Sequence, residues 1–208
     1  MKLYLASKHV QHPKELIDLV EKSPENATFY LVVNAFDNYS DEKRELHISG
    51  LTDSLKKTGY SPILLDLRDY TNKTSELTDK LSKADLLWVS GGNVFYLRYL
   101  MKESGLDNVL EHLISSGLVY GGDSAGAAIL GGNMHGLELL DDPTEAPEAI
   151  YEGLGITPFI ILPHWGNERY KAEIEETKSI LDRHNPHVVT INDNQVCIYD
   201  GLTKRILG

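Results

Sequence analysis

The stretch that decides the fold is Leu118-Val119-Tyr120-Gly121-Gly122-Asp123-Ser124-Ala125-Gly126-Ala127-Ala128. A short apolar run leads into two glycines, and a run of small residues follows, which predicts a strand, a tight turn and a helix. Residues 122–126 fit the pattern G-x-S-x-G, in which small neighbours allow a serine to be presented on a sharp turn. The amide of Ala125, at the start of the helix, can then face a developing oxyanion. The segment therefore favours Ser124 as a nucleophile, with a plain strand-to-helix turn or a phosphate-binding loop as the alternative.

Short apolar runs alternate with amphipathic stretches on both sides of this turn. Strands are predicted at 3–6, 29–34, 62–67, 85–89, 118–120, 159–162, 188–191 and 195–199. Helices are predicted at 13–22, 41–58, 75–83, 93–104, 106–116 and 170–184. Such alternation is typical of parallel β-α-β units with helices on both faces of the sheet. We expect one α/β domain over residues 1–208, a three-layer sandwich with a mostly parallel sheet.

The composition argues against several classes of partner. The 208 residues carry 20 basic and 31 acidic side chains, a formal net charge of −11, which repels nucleic-acid phosphates and anionic membranes. The single cysteine, Cys197, cannot form a disulfide within the chain, and the N-terminal residues lack the apolar core of a signal peptide. We therefore expect a cytoplasmic protein without nucleic-acid or membrane partners. No Cys/His set has zinc spacing, and neither a metal nor a cofactor is expected.

A nucleophilic serine needs a general base, and His164 is the favoured one of eight histidines. It follows the apolar run Phe159 to Pro163, so it lies at the carboxyl end of a predicted strand. The carboxyl ends of parallel strands share one edge of the sheet, the edge where Ser124 is expected. A structural role for a buried histidine at this position is the alternative.

The orienting acid is harder to place. If it lies between serine and histidine, as in α/β-hydrolases, the candidates are Glu138, Asp141 and Asp142. Only 40 residues separate Ser124 from His164, which is too few for the strands that an α/β-hydrolase inserts there. The chemistry therefore resembles that of α/β-hydrolases, whereas the scaffold is expected to differ.

Three motifs in order resemble the peptidase E (aspartyl dipeptidase) and cyanophycinase group of serine peptidases. They are Ser90-Gly91-Gly92-Asn93-Val94-Phe95, Gly122-Asp123-Ser124-Ala125-Gly126-Ala127 and Leu162-Pro163-His164-Trp165. The resemblance is strongest over residues 84–167. It implies a fold similar to class I glutamine amidotransferases, with serine in place of cysteine.

The same resemblance implies specific roles for several residues. Ser124 would be the nucleophile and His164 the base, and the Gly92-Asn93 turn would face the elbow, with the Gly92 amide as second oxyanion donor beside Ala125. An acid close to a proline after the elbow helix matches Asp141 best. A basic residue after the histidine, Arg169 or Lys171, would be needed to hold an acidic substrate side chain, and we carry over no preference for an N-terminal aspartate.

We therefore predict a serine peptidase that hydrolyses short peptides through an acyl-enzyme. Three alternatives stay open: an esterase-type serine hydrolase, a binding protein that has lost the triad, and an amidotransferase-type protein using Cys197. Dipeptidase and carboxypeptidase-like specificities are both open, and so is the oligomeric state, a homodimer included.

Overall fold

A computed structural model describes all residues, 1–208. Its strands are β1 (Lys2–Ala6), β2 (Phe29–Val32), β3 (Ile63–Leu64), β4 (Leu86–Val89), β5 (Val119–Asp123), β6 (Ile160–Leu162), β7 (Val188–Thr190), β8 (Val196–Tyr199) and β9 (Lys204–Leu207). Its helices are α1 (Pro13–Val20), α2 (Asp41–Lys56), α3 (Thr74–Leu81), α4 (Val94–Ser104), α5 (Leu106–Ser115), α6 (Ala125–Ala128) and α7 (Lys171–His184). Five 3₁₀ turns lie in the connections. None of the helices combines the length and the hydrophobicity needed to cross a membrane.

Seven strands form the central sheet in the order β3-β2-β4-β5-β1-β8-β9. The first five run parallel, and β8 and β9 are antiparallel additions at one side. The strands β6 and β7 pair with each other in parallel and stand apart from the main sheet. The mostly parallel sheet that the sequence predicts is confirmed.

The alternation of side chains along the strands produces the three layers. Successive residues of a strand point to opposite faces, so Leu3 and Leu5 pack in a core with α4 and α5, whereas Tyr4 packs with α1 and α2 on the other face. This arrangement is the predicted α/β/α sandwich.

Three regions differ from the sequence-based expectation. The strands predicted at 159–162 and 188–191 form the separate parallel pair of β6 and β7 and do not join the main sheet. The run predicted as a strand over 62–67 forms only the two-residue β3 and then a 3₁₀ turn, where Asp66 accepts a hydrogen bond from the Arg68 amide. The strand β9, which follows the turn at Gly201, is an additional element that pairs with β8.

Candidate active site

Ser124 lies on a strained turn between β5 and α6. Its backbone has φ 49° and ψ −113°, a conformation that L-residues rarely adopt and that costs about 1–3 kcal/mol. The amide of Ser124 donates to the carbonyl of Ala6 at 3.1 Å, which fixes the turn to the neighbouring strand β1. The serine side chain is therefore held at the carboxyl edge of the sheet.

The glycines around Ser124 are required by close backbone approaches. A Cβ atom on Gly122 would lie 2.5 Å from the carbonyl oxygen of Gly126, and one on Gly126 would lie 2.1 Å from that of Val89. Any side chain at these positions would separate the helix from the strands. The G-x-S-x-G spacing is thus a packing requirement of the turn that presents Ser124.

His164 contacts the serine hydroxyl directly. The distance between Ser124 Oγ and His164 Nε2 is 3.0 Å. His164 follows β6 with φ 60°, a left-handed conformation, and its amide donates to the hydroxyl of Ser7 at 2.7 Å. The predicted pairing of these two residues across the edge of the sheet is present in the structure.

The carboxylate behind His164 belongs to Asp193. Its Oδ1 atom lies 2.6 Å from His164 Nδ1 and accepts a second hydrogen bond from Ser7 Oγ at 3.0 Å. The hydrogen bond from His164 is the largest cause of a pKa of Asp193 below its ordinary value. Because an ionised carboxylate can only accept, Nδ1 carries the proton of the neutral imidazole and Nε2 is free to accept from Ser124.

Asp141, the acid predicted from sequence, makes no hydrogen bond with His164. Asp141 Oδ2 accepts from the Val94 amide at 3.0 Å, and desolvation of its carboxyl group raises the pKa of Asp141 to about 7. Asp142 accepts from the amide and hydroxyl of Thr144 in the next turn. Glu138 accepts from the amide of Gly136. All three carboxylates serve the backbone of their own region or of α4, and Asp193 alone contacts the imidazole of His164.

Asp193 carried a sequence signal that the prediction did not use. It follows the predicted strand 188–191, which pairs in parallel with the strand before His164, so the carboxyl ends of the two strands lie side by side. The assumed order of serine, acid and histidine confined the search to residues between Ser124 and His164. In the structure Asp193 sits in a tight turn, where the Gln195 amide donates to the Asn192 carbonyl at 2.9 Å.

The amides of Gly92 and Ala125 donate to no acceptor within the chain. Gly92 has φ +128°, and a Cβ there would lie 2.2 Å from the carbonyl oxygen of Ala35, so only glycine fits this turn. The same turn approaches the elbow, because a Cβ on Gly91 would lie 2.9 Å from Ser124 Cβ. Two unpaired amides beside a nucleophile are the arrangement that an oxyanion requires.

The side chain of Asn93, expected in the turn that faces the elbow, is engaged by partners within the chain. Its Oδ1 atom accepts from the amides of Phe95 and Tyr96 at 3.0 Å, which caps α4. Its Nδ2 atom donates to the Asp142 carbonyl at 2.7 Å and to Glu145 Oε2 at 2.9 Å. Asn93 is 2% exposed, and its amide group is fully used in fastening the 141–145 segment to α4.

A second acidic residue adjoins the nucleophile on the buried side. Asp123 Oδ1 accepts from Trp88 Nε1 at 2.8 Å, and its Oδ2 lies 3.9 Å from His9 Nδ1. Burial raises the pKa of Asp123 and lowers the pKa of His9. This pair lies at the end of β5, next to Ser124, and makes no hydrogen bond with His164.

Neither the cysteine nor the two basic residues named from sequence contact the elbow. Cys197 is fully buried in β8, and burial raises the pKa of its thiol to about 11, which suppresses the nucleophilic thiolate. Arg169 and Lys171 are exposed; the guanidinium of Arg169 lies 5.1 Å from the centre of the Tyr170 ring, and Lys171 lies 3.9 Å from Glu168.

Comparison with known proteins agrees with this geometry. The sequence matches the profile of peptidase family S51 over residues 7–207. It is 31% identical over 142 residues to the peptidase Lmo0363 of Listeria monocytogenes, a match that covers 65% of this chain and 68% of that protein. It is 28% identical over 217 residues to peptidase E of Streptomyces coelicolor, which covers 100% of this chain and 84% of that one.

Solved structures share the fold. The crystal structure of a Listeria monocytogenes protein assigned to peptidase E superposes with a TM-score of 0.83 at 23% identity, covering 99% of this chain and 97% of that chain. A peptidase from an acI-B1 actinobacterium gives a TM-score of 0.72 at 19% identity, with coverage of 100% and 87%. At these identities the likeness concerns the fold, and the match over residues 7–207 carries the assignment: the chain belongs to peptidase family S51 and is a serine-type peptidase.

Proposed function

We propose that the protein hydrolyses short peptides through an acyl-enzyme on Ser124, with His164 as general base and Asp193 as the orienting acid. The observation that carries the proposal is the continuous contact from Ser124 Oγ to His164 Nε2, at 3.0 Å, and from His164 Nδ1 to Asp193 Oδ1, at 2.6 Å. Both distances lie within hydrogen-bonding reach, as a nucleophile, its base and the group that orients the base require.

In the first half of the reaction Ser124 Oγ attacks the peptide carbonyl carbon, and its proton passes to His164 Nε2. The amides of Gly92 and Ala125 bind the oxyanion of the tetrahedral intermediate, and by analogy with measured donors each contributes about 3 kcal/mol. The proton on Nε2 then goes to the leaving amine as the carbon–nitrogen bond breaks. Asp193 stabilises the imidazolium that exists between these two transfers.

In the second half a water molecule takes the place of the departed amine. His164 Nε2 removes a proton from the water as its oxygen attacks the acyl carbon, and the same proton returns to Ser124 Oγ when the ester bond breaks. The products are a carboxylic acid and the free serine. The water supplies the proton that returns to Ser124, and the departed amine carries the original one, so the protons balance.

The surroundings of the site favour small substrates. The segment 141–145 is fastened to the turn that carries Gly92, so it stands beside the amides that would bind the oxyanion. We infer that this segment limits how far a peptide extends beyond the scissile bond. The name alpha-aspartyl dipeptidase, given to a relative from Drosophila melanogaster, supports a small peptide as substrate, without fixing the side chain for this protein.

The test is a panel of dipeptides and tripeptides, including peptides with an N-terminal aspartate, beside an activated ester. We expect peptide hydrolysis by the wild-type protein and a loss of about 10⁶-fold in kcat for Ser124→Ala. Cys197→Ala is the matched control and should retain activity, because the thiol is buried away from the elbow. Hydrolysis of the ester alone would replace the peptidase assignment of the site by an esterase, and activity that survives in Ser124→Ala would refute the proposal.

A further inference from the structure

The side chain of Ser7 contacts both His164 and Asp193. The residue follows β1 directly and is 0% exposed. Its amide donates to the Gln195 carbonyl at 3.3 Å, next to the turn that carries Asp193, and the preceding residue, Ala6, accepts from the Ser124 amide. Ser7 therefore lies where β1 separates the strand of the nucleophile from the strand that follows the acid.

The hydroxyl of Ser7 makes two hydrogen bonds of opposite sense. It accepts from the His164 amide at 2.7 Å and donates to Asp193 Oδ1 at 3.0 Å. The oxygen also lies 3.5 Å from His164 Nδ1. A hydroxyl has one proton and two lone pairs, so it can serve an amide and a carboxylate at the same time. Neither an apolar side chain nor a donor-only side chain can do both.

The geometry of His164 makes such a support necessary. Its φ of 60° is an energetically costly backbone conformation, which persists only when surrounding contacts hold it. The side chains of His164 and Asp193 are 31% and 33% exposed, so water can reach this pair from one side. The buried Ser7 hydroxyl lies on the opposite side and contacts both residues.

We propose that Ser7 is a positioning residue of the active site, whose hydroxyl fixes the backbone of His164 and the carboxylate of Asp193 relative to each other so that Nε2 faces Ser124. The inference rests on the proposed function for its effect on reactivity, and on the two hydrogen bonds for its effect on Asp193. A displacement of the base by about 1 Å costs on the order of 100-fold in rate. Loss of the hydroxyl should therefore slow the reaction of Ser124.

The test compares Ser7→Ala with Ser54→Ala. Ser54 is a matched control because it is 8% exposed and its hydroxyl accepts from an amide, that of Val10 at 2.9 Å, without contacting the active site. The first measurement is the rate constant for phosphonylation of Ser124 by a fluorophosphonate, which requires no knowledge of the peptide substrate. We expect a fall of about 10- to 100-fold in Ser7→Ala and little change in Ser54→Ala.

The second measurement follows the carboxyl carbon of Asp193 by NMR as a function of pH, which needs no turnover. The Ser7 hydroxyl is one cause of the lowered pKa of Asp193, so this pKa should rise in Ser7→Ala and stay unchanged in Ser54→Ala. Ser7→Cys, which fills the site with a weaker donor and acceptor, should give intermediate values and replaces the alanine variant if that one fails to fold.

The outcomes separate the two proposals. A wild-type protein that is not phosphonylated would overturn the proposed function, while the Asp193 titration would still decide the role of Ser7. If Ser7→Ala matches Ser54→Ala in both the phosphonylation rate and the Asp193 titration, Ser7 is a purely structural residue and the inference is wrong.

Discussion

The segments 141–145 and 192–195 each place an aspartate close enough to His164 to interact with its charge, yet the two carboxylates differ in every other respect. Asp193 receives hydrogen bonds from His164 and Ser7, and its pKa is lowered. Asp141 receives one from the Val94 amide, and desolvation raises its pKa to about 7. The desolvation of a carboxylate and the donors around it, and not its distance along the chain from the nucleophile, decide whether it can stabilise a charged base.

The largest expected effect distinguishes the two aspartates by activity. Asp193→Asn should lower kcat on the best peptide of the panel by about 10⁴-fold, because an amide stabilises the imidazolium poorly and favours the wrong tautomer. Asp141→Asn should cost less than about 10-fold, since an amide oxygen can still accept from Val94. Steady-state kinetics of both variants tests this, and the reverse order of losses would restore Asp141 as the orienting acid.

The second prediction concerns the pH dependence of the free energy of unfolding, which Asp141 and Asp193 should affect in opposite directions. The pKa of Asp141 rises from an ordinary 3.8 to about 7 on folding. Between about pH 4 and 7 the folded state keeps a proton that the unfolded state releases, so this residue makes the protein less stable as pH rises through that range. Asp141→Asn removes the penalty and should raise the free energy of unfolding above pH 7 by roughly 2–4 kcal/mol, with little effect below pH 4.

Asp193→Asn and Asp142→Asn provide controls of opposite sign. Both native carboxylates have pKa values below the ordinary one, so they contribute stability above about pH 4 that is lost as pH falls. Their asparagine variants should therefore be less stable than the wild type at neutral pH. Urea unfolding at pH 4, 6 and 8 measures all three variants, and an unchanged pH profile for Asp141→Asn would contradict the environment described for its carboxyl group.

The smallest expected effect concerns the attachment of the 141–145 segment. Asn93→Ala removes the cap of α4 and both donors to the segment, and should lower the free energy of unfolding by about 1–2 kcal/mol. Asn93→Ser keeps an acceptor for the cap and should lose less. Equal losses in the two variants would show that the contacts with Asp142 and Glu145 carry the stabilisation and the cap does not.

Local sequence patterns were sufficient to predict the fold and part of this site. The α/β/α sandwich follows from strand and helix periodicities, and Ser124 follows from glycines whose necessity is visible as contacts of 2.1 and 2.5 Å for added Cβ atoms. His164 was identified by its position after a buried strand. These features depend on a few neighbouring residues each, so the sequence records them directly.

The remaining features depend on strand order, which no short pattern encodes. Asp193 meets His164 because β6 and β7 pair in parallel, so that the residues after their carboxyl ends lie side by side. Ser7 contacts both because it follows β1, which lies between β5 and β8. The role of Asn93 likewise depends on the docking of a segment about 50 residues away. Ser7 is an isolated serine after a strand, and Asp193 lies between two asparagines. Without knowledge of the strand order, both residues are indistinguishable from ordinary turn residues.

The most direct test of the central claim is to locate the residue that a fluorophosphonate modifies, by peptide mapping with mass spectrometry of the wild-type protein and of His164→Ala. An activated Ser124 predicts one phosphonyl group per chain, on Ser124, in the wild-type protein and a strong reduction in His164→Ala. Modification at another residue, or equal labelling of Ser124 in both proteins, would contradict the account.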